Sequence, residues 1–303
     1  GRLIDDEPEL AYRHAEAARR RAARLPVVRE AAAETAYAAG HWDVALSEFR
    51  ALRWMTGTDD FLKLCQALNK AGHPPGFALS HATGDSETWM HNMLWGFGGR
   101  LVDENNQVAI NSPETVKAIE YVTELSKTFI EGCAAWTGVS NNNAFIEGKI
   151  SLTSNGISIY FAGRNSEDPN KKAVAEDMDH APMPMGPVGT PTELHLLSQA
   201  MLFKHSKFPQ AAKAYLQFMW EREQYEPWQT AALGYISHPL KAYDDNAVWR
   251  DNPITKPFQG CVARMRPHGH AGTLGPASAA CLADWIVVDM FASVAMGQRS
   301  PAA

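Results

Sequence analysis

The chain is short of the residues that chemistry usually needs. Among its 303 residues stand four cysteines, Cys65, Cys133, Cys261 and Cys281, and no two of them form a CxxC pair. That removes the zinc-ribbon and redox-motif readings. A disulfide between Cys261 and Cys281 and small buried thiols remain as alternatives. Basic residues are too few for a nucleic-acid groove: 28 Lys and Arg stand against 34 Asp and Glu, a net charge of −6. A phosphate backbone demands a concentrated cationic face, so no nucleic-acid partner is expected. No apolar run reaches the roughly eighteen residues of a membrane-spanning helix, and none is expected. The opening GRLIDDEPELAYRHAEAARRRAARLP has no apolar core of a secretory signal. A removed signal, a cytoplasmic location and a non-native start all fit that opening.

Paired acid and base are missing too. Asp244-Asp245 reads as turn chemistry, not as a carboxylate pair held at a catalytic separation. His268-Gly-His270 offers two nitrogen ligands in a glycine loop without an evident third, so no metal is expected. No cofactor is implied. The reading is of a binding protein and not an enzyme.

What the chain does hold is 45% hydrophobic residues with nine Trp, eight Tyr and twelve Phe, enough for a soluble globular protein of one large or two smaller domains. Its character changes between Arg53 and Phe61. Residues 1–57 are rich in Ala and Arg and read as helices, about Glu7 to Arg24, Pro26 to Ala39 and His41 to Met55. Ala33, Ala36, Gly40, Trp42, Ala45, Phe49 and Leu52 follow the small–small–Gly–aromatic spacing of one tetratricopeptide-like hairpin; a plain amphipathic hairpin is the alternative.

Residues 58–303 mix helix periodicity with short apolar runs and Gly/Pro turns, an α/β pattern. Asp59 or Asp60 starts a helix that ends near Lys70. Phe77 to Ser80 reads as a strand. Asp85 or Ser86 caps a helix carrying Trp89, Met93 and Leu94. Asp103-Glu-Asn-Asn106 turns a small hairpin. Ser112-Pro113-Glu114 is a cap, a first-turn proline and a first-turn acid, and starts a helix to about Phe129. A short helix over Asn142 to Glu147 leads to a strand, Ile150 to Leu152, and then to Asn155-Gly156. Thr192 to Phe203 reads as a strand and its approach. Gln210 to Glu221 reads as a helix with Ala212, Tyr215, Leu216, Phe218 and Met219 inward, and Ala277 to Met296 as one apolar final helix.

The order of these signals resembles the extracellular solute-binding proteins of ABC sugar importers over about residues 61–303. The features that carry it are Gly76-Phe-Ala-Leu, Trp89 with Gly98-Gly99, Ser112-Pro113-Glu114, Asn143-Ala-Phe145 with Gly148-Lys149, Asn155-Gly156, Pro182-Met-Pro184 and Lys204-His-Ser206. The resemblance implies a periplasmic-binding-protein-like (type II) α/β fold. The second lobe is nearly complete and the first largely missing, behind an all-α helical hairpin segment. It implies binding of a small-molecule sugar by lobe closure, docking on a membrane permease, and a periplasmic or other extracytoplasmic location. The N-terminal helices would be free to take a protein partner. An interaction scaffold built on those helices, with a degenerate α/β lobe, is the second reading.

Sugar recognition takes flat aromatic faces for the ring and short polar groups for its hydroxyls. The expected contacts are Trp89, at the start of a helix after a strand end, together with Trp136 and Trp228. The polar candidates are Asn155, Gly156 and Ser158, with Glu193 and His195 on the approach to the Leu196 strand.

Overall fold

In the computed structural model, residues 7–22, 36, 39, 57–194, 199–235, 237, 240–273 and 275–301 are described. The chain divides into two compact units, Gly1–Gly57 and Thr58–Ala303. In the first, helix α1 spans Pro8–Ala22. The tetratricopeptide-like spacing, including Trp42, lies outside the described residues.

The second unit is assembled around one helix. Helix α3, Asp85–Gly96, buries Trp89, Met90, His91, Asn92, Met93, Leu94 and Trp95 in an unbroken run. A helix covered on every side has no polar stripe to display, which is why an amphipathic pattern finds only part of its core. Around it lie α2 (Thr58–Lys70), α4 (Pro113–Ser126) and α12 (Ile286–Ala295). Phe77 anchors the aromatic centre, edge-on to Phe61 and Trp89 and stacked on Phe129 at 5.0 Å. Helix α4 begins as its sequence dictates: the Ser112 hydroxyl accepts from the Thr115 N–H at 3.2 Å, and Pro113 opens the first turn.

Strand is scarce among the described residues. Strands β1 (Glu193–Leu194) and β2 (Met265–Arg266) pair in parallel. The expected strands at 77–80 and 150–152 are not strands; one isolated bridge, Pro75 to Leu152, joins the two segments. Pro74 and Pro75 have no N–H to give, so a regular ladder cannot run along them. Their carbonyls instead accept from Ser151 and Ile130, while Gly76 donates to Leu152 and Leu79 to Cys133. The segment is extended and paired on both sides, one bond at a time. The hairpin at 101–110 forms as expected: Val102 bridges Val108, Asp103 Oδ1 accepts from the Asn105 and Gln107 amides, and Asn106 takes a left-handed turn position.

After Ile150 the chain forms α6 (Ser158–Arg164) and α7 (Pro169–Asp177), neither anticipated from the sequence. With α5 (Ser140–Ile146) they enclose a smaller core of Ile157, Ile159, Tyr160, Ala175 and Met178.

Four further expectations are corrected. Among the described residues of the stretch 192–203 only Glu193–Leu194 is strand, and Met201 and Phe203 are 76% and 64% exposed. Helix α8 (Pro209–Met219) has no buried residue, so Tyr215 and Phe218 face outward. The final apolar stretch breaks at Trp285 into α11 (Pro276–Ala283) and α12. Pro276–Ala295 is long and apolar enough to cross a membrane by composition, contrary to the expectation of no such segment. It is not a continuous rod, however, and its second half puts Val287, Val288, Phe291, Ala292 and Val294 into the core. All four cysteines are free thiols, so no disulfide joins Cys261 and Cys281.

Candidate functional site

The N-terminal end of α3 gathers loops that carry a polar network. Gly84 holds a left-handed φ of 83° as the cap, and its N–H donates to Glu87 Oε2 at 2.5 Å. Burial pushes the Asp85 carboxyl up to about 6, opposed by its hydrogen bond with Asn141, and burial raises Glu87 as well. Asn141 donates to the Ser154 carbonyl at 3.3 Å. Beside it Asn142, Asn155 and Ser158 close a triangle: Asn142 Nδ2 donates to Ser158 Oγ at 3.0 Å, Ser158 Oγ to Asn155 Oδ1 at 3.0 Å, and Asn155 Nδ2 to Asn142 Oδ1. The Gly156 N–H donates to Asn155 Oδ1 at 2.6 Å.

On the other flank stands Trp285. Its φ of 57° is left-handed, a conformation that costs a bulky side chain on the order of 1–3 kcal/mol and tends to occur at functional positions. The His81 imidazole lies flat on the indole, 4.7 Å between centroids and 4° between planes. His81 Nε2 bonds Asp289 Oδ1 at 2.7 Å, with both side chains more than half exposed. The segment from His81 to Asp85 links this stack to the asparagines, and a side chain at Gly138 would lie 3.7 Å from the Thr83 carbonyl. The loops about the head of α3 thus carry the Trp285–His81 stack on one flank and the asparagine–serine network on the other.

The structure brings together Asn155, Gly156 and Ser158 but not the other expected residues. Trp89 is 1% exposed and donates its indole N–H to the Ala78 carbonyl at 3.0 Å, so it is a core residue with no face for a solute. Trp136 plugs the core over Gly76, where an added Cβ would come within 2.3 Å of the ring. Its carbonyl accepts from Ser80 Oγ. Trp228, 41% exposed, packs edge-on against Tyr225 on α9 (Arg222–Ala231). The Glu193 carboxylate is occupied by Arg264, whose Nε lies 3.1 and 3.3 Å from its two oxygens. His195 lies outside the described residues. Nothing in the sequence singles out His81, Asp289 or the break at Trp285: the Ala-rich apolar run has no Gly or Pro at position 285. Among the described residues no cluster of His, Cys, Asp or Glu could hold a metal ion.

The sequence profile of the bacterial extracellular solute-binding proteins matches residues 32–257, more than half of the chain. It begins inside the first unit and covers most of the stretch read as a tetratricopeptide-like hairpin. No curated protein matches the chain. Among solved structures, maltose-bound MalE3 of T. maritima is similar at 19% identity and a TM-score of 0.63, covering 82% of this chain and 62% of that one. A sugar transporter of Arthrobacter chlorophenolicus with bound laminaribiose is similar at 16% identity and a TM-score of 0.60, covering 82% of this chain and 61% of that one. At these identities the likeness shows the periplasmic-binding-protein fold. The chain spans about three-fifths of the length of these structures.

Proposed function

Since the chain belongs to the bacterial extracellular solute-binding proteins, we propose that it is a substrate-binding component of an ABC importer, that its solute is a carbohydrate, and that it acts outside the cytoplasm without chemistry. The observation that carries the carbohydrate reading is the head of α3, where the half-buried Trp285 indole, stacked with the exposed His81 ring, and the Asn142–Asn155–Ser158 triangle stand on the loops that meet there. An aromatic plate serves the C–H face of a sugar, and the amides and hydroxyls serve its hydroxyl groups. His81 covers the indole with a ring that is itself exposed, so a pyranose can take its place. Maltose and laminaribiose, bound in the two similar structures, are of that chemical class. Lobe closure and docking on a membrane permease follow as the mechanism.

Calorimetry against a panel of mono- and disaccharides tests this. One saturable sugar, with affinity cut by roughly tenfold to a hundredfold in Trp285→Ala, is the expected result, since an aromatic stack and its buried area amount to about 1.5–3 kcal/mol. A folded protein silent across the panel overturns it.

A further inference from the structure

At the opposite end of α3, about 18 Å away by helix rise, lies a cavity of about 260 Å³. Trp95, Arg100, Thr190, Thr192, Arg266 and His270 line it. Its charge is one-sided. Arg266 makes a 3.1 Å hydrogen bond to the Met265 carbonyl and has no carboxylate partner among the described residues. Arg100 has Glu104 at 3.8 Å, a carboxylate whose side chain is 74% exposed, and such a pair neutralises little. Glu193 on β1 is held by Arg264, and Glu114 lines the neighbouring cavity, which shares Gly98 and Arg100 with this one. His270 Nδ1 is buried without a hydrogen-bond partner, and its ring packs 4.7 Å from Trp95. Both guanidinium groups, together with burial, hold its protonation down.

A helix C-terminus would ordinarily repel an anion. Here the last carbonyls of α3 are spent: Met93 accepts from Phe97, Leu94 from Gly99, Trp95 from Gly98 and Gly96 from Val188. The close seat of Gly186 on Gly96 permits the last of these, since a Cβ at Gly186 would fall 2.2 Å from the Gly96 carbonyl oxygen. Two guanidinium groups and an imidazole thus line a space that holds an anion and several waters, at about 30 Å³ each.

We propose that this cavity binds a tetrahedral oxyanion, a phosphate either free or esterified to a sugar, through Arg100, Arg266 and His270. The site stands apart from the solute surface and does not depend on the carbohydrate reading. Bound anion favours the imidazolium, so affinity rises as pH falls through the His270 titration.

The test is calorimetric titration of the full chain at low ionic strength with inorganic phosphate, glucose 6-phosphate and sulfate. Sulfate keeps its charge across the range and isolates the protein's titration. Saturable binding is expected, tightening for sulfate from pH 7 to 5.5. Arg266→Gln and Arg100→Gln should each weaken it by roughly tenfold or more, because charge-assisted bonds to an oxyanion are lost. NMR of the His270 ring should show its pKa rise when sulfate is added. Tighter binding of glucose 6-phosphate than of phosphate assigns the site to a phosphorylated sugar, and equal binding assigns it to free phosphate. Arg100 is half exposed, so its variant carries the test if Arg266→Gln fails to fold. Absence of saturable binding to all three anions, or unchanged affinity in a folded arginine variant, overturns the proposal.

Discussion

His91 is 1% exposed in the middle of α3. Its Nδ1 meets the Glu87 carbonyl at 2.8 Å, and its ring stands edge-on to His268 at 4.9 Å. Nε2 is buried without a partner. Burial depresses its pKa to about 4, with the facing His268 adding to the effect; His268 and His180 are lowered by burial as well. The folded chain therefore binds fewer protons than the unfolded chain below the ordinary histidine value of 6.5. Stability is complete above that value and drains as pH falls toward 4. Asp85 and Glu87, with raised pKa values, take up protons first in the folded state and oppose the loss. Comparison with His91→Gln separates the two. Between pH 7 and 4, denaturant titrations should show wild type losing about 3 kcal/mol more than the variant, at about 1.4 kcal/mol per pKa unit. Equal losses would remove His91 as the cause. Single residues were also where the sequence misled. Trp89 looked like a cleft residue because it follows a strand end, whereas complete burial of α3 makes it core. Trp285 looked like part of a continuous helix, and no local pattern records its left-handed turn.

Elements with their own start signals were legible. The Ser112 cap with Pro113 and the Asp103–Asn106 turn both form where their residue types place them, because their hydrogen bonds close within a few residues. Replacing Ser112 with Ala should cost about 1 kcal/mol, read as a shift in the urea midpoint at unchanged slope; an unchanged midpoint would mean the cap adds nothing. Elements defined by distant partners were not legible. The strands at 77–80 and 150–152 carry strand-like residues, yet prolines at 74 and 75 restrict them to isolated bonds. Helix α8 shows the converse. Its apolar stripe is evident from the sequence, but a stripe says nothing of what covers it, and in the structure none of its residues is buried.

For the whole molecule, family membership was readable from motif order along the chain, and the solute-binding profile covers residues 32–257. The compact unit Thr58–Ala303 contains α3, both of its ends and every hydrogen bond of the candidate surface. We propose that it folds alone as a domain. A fragment of residues 58–303 should melt cooperatively and keep any sugar affinity of the full chain within about threefold, less than 1 kcal/mol. Loss of cooperative melting in that fragment, with recovery in residues 32–303, would move the boundary to where the family profile begins.

The free thiols have a consequence for handling and measurement. Burial lifts Cys65 to about 12 and Cys133 to about 11, and only a thiolate attacks an alkylating reagent. Cys281 is partly open and is the first site of labelling. Cys65 and Cys133 react only as fast as the core opens, so mass spectrometry of their alkylation clocks the opening of the α2–α4 region directly, without denaturant or an added probe.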